Sequence, residues 1–184
     1  MSWKLLTAAA LAACALPAAT ARAQIKYGLA GGLSAPEGDF GRGVDGGYHV
    51  TGLVAVGAPV VPIGLRVEGS FSEFDHKAGL GSTSAKTRLL YATANAVLTS
   101  PGIVAPYLIG GIGIYHASAV CSSCTTSSTK SGFNGGVGFR LGLAGFSAFV
   151  EARYHYIPGA NNPTNGGVKG SSTQFIPISF GVQF

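Results

Sequence analysis

The chain has 184 residues, of which 47% are hydrophobic and only 10% are charged, and its formal net charge is +5. A soluble globular domain carries about 25% charged residues, so this composition argues against an ordinary water-facing surface. The cations are scattered rather than gathered among aromatic side chains, which argues against a nucleic-acid partner.

The first 23 residues have the pattern of a secretory signal peptide. Lys4 precedes an apolar, alanine-rich stretch, Leu5–Leu16, and a small-x-small cleavage site ends at Ala23. We therefore predict that residues 1–23 are removed and that residues 24–184 form one mature domain.

A second cleavage prediction competes with the first. Leu11 to Cys14 resembles a lipoprotein cleavage box, in which Cys14 would become the acylated N-terminus. Both alternatives predict export. Beyond this segment the sequence has no apolar run long enough for a transmembrane helix. A chain that is too apolar for water and lacks a spanning helix is expected to form a closed barrel, the other structure that satisfies its backbone in lipid.

Alternation of apolar and polar residues predicts eight strands along the mature chain. The pattern is clearest in the third strand, where Ile63, Leu65 and Val67 share one face, while Arg66 and Glu68 share the other. The predicted strands are Ile25–Ala35, Tyr48–Ala58, Ile63–Phe74, Thr87–Leu98, Tyr107–Ala117, Phe133–Leu143, Phe146–Ile157 and Thr173–Phe184.

The connections between these strands alternate in length. A two-residue turn at 144–145 predicts that Leu143 faces Phe146. Phe139 then faces Val150, which keeps all four apolar side chains on one face. Short turns at one end and long polar loops at the other are typical of outer-membrane barrels, whose long loops lie outside the cell. The short connections are 59–62, 100–104 and 144–145, and the long ones are 36–47, 75–86, 118–132 and 158–172.

The last strand ends the chain on an aromatic residue. Its apolar face holds Ile176, Ile178, Phe180, Val182 and Phe184. An uncovered apolar edge strand invites aggregation, and closing a barrel removes the edge. This strand resembles the C-terminal signature of bacterial outer-membrane β-barrels, which the barrel-assembly machinery reads during insertion.

The plan of the whole mature chain resembles the small OmpX- and OmpA-type family. The resemblance implies an all-β fold, an eight-stranded antiparallel up-and-down transmembrane β-barrel surrounded by outer-membrane lipid. It also implies a structural or surface-contact (adhesion-like) role through four extracellular loops, possible contact with a surface ligand, and no enzymatic activity. A lipocalin-like soluble barrel is the alternative fold, but the polar face carries mainly Gly, Ser and Thr, too few charges for a solvated exterior.

Six charged or titratable residues fall on the face predicted to line the barrel: Arg66, Glu68, Arg140, Glu151, Arg153 and His155. Buried charges must be paired, so both signs are expected to meet there. On the predicted register Arg140 lies diagonal to Glu151, within reach of an ion pair. Because an eight-stranded barrel is only wide enough to be filled by side chains, we predict a polar plug. A narrow channel gated by Arg140, Glu151 and Arg153 is the alternative.

Cys121 and Cys124 lie in the predicted third long loop. In an exported protein their expected state is a local disulfide, which closes a ring too small for more than modest stabilisation. A metal site that recruits His116 is the alternative, but it would lack a fourth ligand. We therefore expect neither a metal nor a cofactor.

His116 and Ser118 fall on the outward face near the outer end of the fifth strand. This His-x-Ser pair resembles the motif of the outer-membrane lipid A deacylases, which implies a lipid A-modifying hydrolase as the alternative function. Such chemistry needs an acid to orient the base, and the neighbouring strands supply no Asp or Glu on that face. The prediction therefore stays with a protein that is not an enzyme.

Overall fold

The structure is a computed structural model that describes residues 24–57, 62–76, 86–121, 124–159 and 172–184, and between 119 and 126 it describes no side chains. The predicted signal peptide and the alternative acylation site lie outside these residues. Eight strands form one closed antiparallel sheet, in which each strand pairs with the next and the last returns to the first. They are β1 Gln24–Glu37, β2 Val44–Gly57, β3 Ile63–His76, β4 Lys86–Thr99, β5 Val104–Cys121, β6 Cys124–Leu143, β7 Phe146–Ile157 and β8 Thr173–Gln183.

The predicted fold class, an all-β up-and-down barrel, is confirmed. Side chains alternate between a lumen face and an outer face, as the period of two requires. The apolar set points outward: Leu33 is 72% exposed, Val67 58% and Phe180 65%. Exposing so continuous an apolar surface to water is unfavourable, whereas the hydrocarbon core of a membrane accommodates it.

The predicted hairpin between β6 and β7 is confirmed. Leu143 pairs with Phe146, and Phe139 pairs with Val150. Gly145 in the turn has a φ of 87°, a conformation that glycine adopts without the steric cost of a side chain.

The prediction of a long loop at 118–132 is wrong. Strand β5 continues to Cys121 and β6 already begins at Cys124, so most of this segment belongs to an extended hairpin. Its register places Ser118 opposite Ser127. A run of serine and threonine shows no apolar alternation, but backbone ladder bonds do not require apolar side chains, and threonine favours extended structure.

The connection predicted at 36–47 is also shorter than expected. A six-residue helix, α1 (Gly38–Gly43), lies between β1 and β2. Phe40 of α1 packs edge-on against the buried Phe74, with ring centroids 5.1 Å apart. The helix therefore leans over the barrel mouth. No helix among the described residues is long and apolar enough to cross a membrane.

The barrel closes where β1 meets β8. Tyr27 and Phe184 exchange two backbone hydrogen bonds, with N···O distances of 3.2 and 2.8 Å. Their rings stack at 6.2 Å, and Phe146 lies 6.1 Å from Phe184 on its other side. The aromatic C-terminus is therefore part of the seam, on the outer face.

Candidate functional site in the barrel interior

The middle of the lumen holds a central ion-pair cluster of two arginines and two glutamates, Arg66, Glu68, Glu151 and Arg153, all buried. The two from β3 meet the two from β7 across the barrel. Arg153 Nη2 lies 2.9 Å from Glu68 Oε1, and Arg153 Nε lies 2.9 Å from Glu151 Oε1. Arg66 Nη2 donates to Glu151. Opposite charges in equal number make the cluster neutral, which burial demands.

Neutral side chains complete the shell of both carboxylates. Thr93 Oγ1 and Asn95 Nδ2 donate to Glu68 at 3.0 and 3.1 Å. Tyr107 OH donates to Glu151 at 2.8 Å. The Nε of Arg66 lies 2.8 Å from Glu68 Oε1 but makes no hydrogen bond of acceptable angle, so that contact is electrostatic. Each glutamate thus accepts hydrogen bonds from several donors, which compensates for the hydration lost on burial.

An aromatic layer fills the lumen beyond the cluster, toward the end that holds α1: Phe74, Tyr91, Tyr115, His155 and Phe175. His155 stacks on Phe175 with centroids 4.7 Å apart, and Tyr91 stacks on Tyr115 at 5.2 Å. The hydroxyl of Tyr115 lies 2.9 Å from His155 Nδ1. His155, expected among the charges, therefore sits in an aromatic stack, where its Nδ1 has the Tyr115 hydroxyl as a partner.

Inward-facing glycines make room for these large side chains. A Cβ on Gly138 would overlap the ring of Tyr107 and approach the Val150 carbonyl oxygen to 2.7 Å. A Cβ on Gly181 would likewise overlap the ring of Phe149. Small residues in one strand make room for large ones in the next, so that large side chains can fill the middle of a narrow barrel.

The space between the cluster and the aromatic layer is almost completely filled. The cavity there measures about 10 Å³. It borders His49, whose ring nitrogens contact Ser34 Oγ at 3.1 Å and Ser179 Oγ at 2.8 Å. A space of that volume holds about one water molecule and no solute.

Comparison with known proteins agrees with this geometry. The family model described as "Outer membrane protein beta-barrel domain" matches residues 6–184. The chain belongs to this family. It is therefore a protein of the bacterial outer membrane, with its short turns and both ends of the barrel domain on the periplasmic side, following the rule for such barrels.

Solved structures share the fold of this outer-membrane barrel at low sequence identity. Neisserial surface protein A is 15% identical over 88% of this chain and 97% of its own, with a TM-score of 0.61. A major outer membrane protein from Thermus thermophilus is 16% identical over 89% and 98%, with a TM-score of 0.60. The N-terminal barrel of Pseudomonas aeruginosa OprF is 11% identical over 89% and 100%, with a TM-score of 0.51. No curated protein sequence matches the chain.

The structure separates Arg140 from the central ion-pair cluster. It lies opposite Phe149, as its register predicts. The expected ion pair with Glu151 is absent among the described residues, because Glu151 is already engaged by Arg66 and Arg153. Arg140 instead lines a wider cavity at the periplasmic end of the lumen.

His116 and Ser118 lie on one face of β5 but are not assembled into a triad. The Nδ1 of exposed His116 contacts Thr129 Oγ1 at 2.8 Å, the position that an orienting acid would take. Every Asp and Glu of the sequence lies in a described segment, and none of them contacts this histidine. This contact orients the imidazole, but a threonine hydroxyl stands where a triad needs a carboxylate.

The predicted disulfide stays a prediction, because the Cys121 and Cys124 side chains lie outside those described. The backbone register does place these two residues opposite each other at the end of the β5–β6 hairpin. Among the described residues, no group of three or more His, Cys, Asp or Glu side chains could hold a metal ion.

Sequence reasoning missed the inward aromatics as a group. Tyr91 and Phe175 both occur on the polar-face parity of strands whose apolar residues point outward. The available signal was their parity combined with the glycines of neighbouring strands, which leave space only on the inside.

Proposed function

We propose that this outer-membrane barrel is a structural and surface-contact protein whose lumen is a permanent plug. It stiffens the envelope and presents its outer connections to surfaces, without transporting solutes and without catalysis. The observation that carries the proposal is the filling of the lumen in its middle and toward its outer end, where a neutral ion-pair cluster and an aromatic layer succeed each other along the axis.

The filled interior supports a plug rather than a gate. A gate needs a second arrangement in which the charges still have partners, because an unpaired buried charge costs several kcal/mol. Each glutamate of the cluster contacts both arginines. Moving one arginine therefore weakens two ion pairs at once, which favours a single closed state.

Planar-bilayer recording tests the plug. The wild-type barrel is expected to be electrically silent, and a variant that opens both layers, Glu68→Ala and Arg153→Ala with Phe175→Ala, is expected to show small, cation- and anion-permeable openings. Thr51→Ala is the matched control, since it removes a hydroxyl bonded to Ser70 Oγ at 2.8 Å and leaves the cluster intact. Regular conductance steps from the wild type would contradict the proposal.

Cell adhesion tests the surface contact. Residues 77–85 and 160–171 are replaced, separately and together, by an Asn-Gly turn, and binding of the bacteria to host-cell and abiotic surfaces is counted at equal surface amounts of barrel. Loss of more than half of the adhesion is expected for the combined variant, with Thr51→Ala unchanged. Equal adhesion by all variants would overturn the contact role and leave the structural one.

A further inference from the structure

The periplasmic end of the lumen is open where the outer end is filled. A cavity of about 490 Å³ lies between the central ion-pair cluster and the periplasmic rim, and we call it the periplasmic cavity. Pro62 and Ser100, beside two short turns, line its mouth. Its inner wall is formed by Arg66, Tyr107 and Phe149. A pocket of this size holds a small organic molecule.

Two half-buried cations line the periplasmic cavity. Lys26 projects inward from β1 and Arg140 from β6, and the positive charge of Arg140 acts on Lys26. Neither has an ion-pair partner among the described residues, unlike Arg66, whose guanidinium is held by Glu68 and Glu151. Two like charges in a partly desolvated space repel each other, so their proximity is unfavourable until an anion enters.

No carboxylate side chain is available to neutralise them. All seven acidic residues lie in described segments. Two belong to the central cluster, and the other five lie at the opposite, outer end of the barrel: Glu37, Asp39, Asp45, Glu73 and Asp75. The C-terminal carboxylate of Phe184 lies at the periplasmic rim but forms no ion pair with either cation. Residues 58–61, between β2 and β3 in the sequence, include no charged residue.

We propose that the periplasmic cavity binds a phosphate group through Lys26 and Arg140. Arginine recognises phosphate with a planar fork of donors, and lysine adds a mobile point charge. Gln24, Thr99 and Gln183 supply further polar atoms around the same space. Two uncompensated cations match a dianionic phosphate monoester, which carries close to two negative charges at neutral pH, better than a singly charged carboxylate.

The rest of the phosphate ester would lie against the rings of Tyr107 and Phe149. Two periplasmic sources offer a phosphate group. A soluble sugar phosphate is a monoester with close to two negative charges, and a phospholipid headgroup of the inner leaflet is a diester with one, so the charge match favours the first. The periplasmic cavity lies at the end of the barrel that neither surface contact nor the plug uses.

The test uses the mature barrel in a maltoside detergent, which contains no phosphate. Glucose 6-phosphate is titrated by calorimetry and by ³¹P line broadening, with glucose as the uncharged control. A second arm uses short-chain phosphatidylglycerol, with the matching phosphatidylcholine as control. We expect saturable binding of one phosphate compound per barrel that weakens as salt rises.

Variants locate the binding. Lys26→Gln and Arg140→Gln are each expected to weaken it at least tenfold, and Arg140→Lys, which keeps the charge but loses the fork, less than that. Arg88→Gln, at the opposite end of the barrel, is the matched control and should bind like the wild type. Circular dichroism and the heat-dependent gel shift verify folding of each variant.

The outcomes are distinct. Site-dependent binding of glucose 6-phosphate assigns a soluble monoester, and site-dependent binding of phosphatidylglycerol alone assigns the lipid headgroup. Binding of neither compound, or equal binding by Arg140→Gln and Arg88→Gln, would overturn the proposal. Neither result would affect the silent-bilayer expectation.

Discussion

Arg153 and Glu68 are separated by 85 residues in the sequence, yet the guanidinium of the first donates to both carboxylate oxygens of the second. The pair joins β7 to β3, strands that are not neighbours in the sheet. A bidentate contact of this kind restricts both distance and orientation. It therefore braces the barrel wall across the lumen, where backbone bonds cannot act.

Removing one charge of the central ion-pair cluster should destabilise the barrel strongly. Glu68→Gln leaves two arginines to share one glutamate, and breaking a buried pair costs about 3–5 kcal/mol. Urea unfolding in lipid vesicles, followed by circular dichroism or gel shift, measures the loss. The double variant Arg66→Gln with Glu68→Gln stays neutral and should lose less than Glu68→Gln alone. A double variant that is less stable than the single one would contradict the charge argument.

A methyl group at Gly138 should also destabilise the barrel. Gly138→Ala places a Cβ against the Tyr107 ring and the Val150 carbonyl, and overpacking of this kind costs about 1–3 kcal/mol. The same unfolding measurement compares it with Gly69→Ala, an outward position where an added Cβ meets no atom within 4 Å. Equal stability of the two variants would show that the Tyr107 ring and its neighbours can shift to accept the added methyl group at little cost.

A charge on the lipid face should cost energy according to depth. Val67 lies outward between two residues of the central cluster, near mid-membrane, whereas Leu143 borders a periplasmic turn. Val67→Arg is expected to cost about 2–4 kcal/mol, and Leu143→Arg about 0–1 kcal/mol. Reversible folding into vesicles measures both. Similar costs at the two positions would mean that the apolar band does not face hydrocarbon as its depth suggests.

The terminal aromatic should matter more for assembly than for stability. Phe184→Ala removes ring contacts with Tyr27 and Phe146 at the edge of the seam, which is a small part of the packed surface. We expect a clear drop in the amount of folded barrel recovered from outer membranes, with little change in urea unfolding. Phe180→Ala, also outward but inside the strand, serves as control. Equal recovery of the two variants would argue against a special role of the last residue.

Strand positions and faces were readable from the sequence because lipid imposes a strict alternation. In β3, Val67 is apolar because it points outward to lipid, and Glu68 is polar because it points into the lumen. The outer part of the β5–β6 hairpin was not readable, since residues such as Ser127 and Thr129 show no alternation once the strands leave the apolar band. Alternation along a strand shows which residues point into the lumen, but it does not show which of them touch each other.

Contacts between inward residues of different strands could not be predicted from the sequence. Arg140 and Arg153 have the same parity and similar chemistry, but only Arg153 reaches Glu68. The difference arises from the height of each residue in the barrel and from the stagger between distant strands. A period of two contains no information on either quantity, so the true partner of Glu151 could not be deduced from neighbouring strands alone.

The two hydrogen bonds between Tyr27 and Phe184 make the first and last strands ordinary neighbours. In a closed sheet every strand has two neighbours, so the strand numbers reflect only the order along the chain. A peptide linker from Phe184 to Gln24, with new ends cut at 144–145, would preserve every rung of the ladder. The free carboxylate of Phe184 would be lost from such a permuted chain while the ladder stayed the same, so the permuted barrel would report on that one group alone.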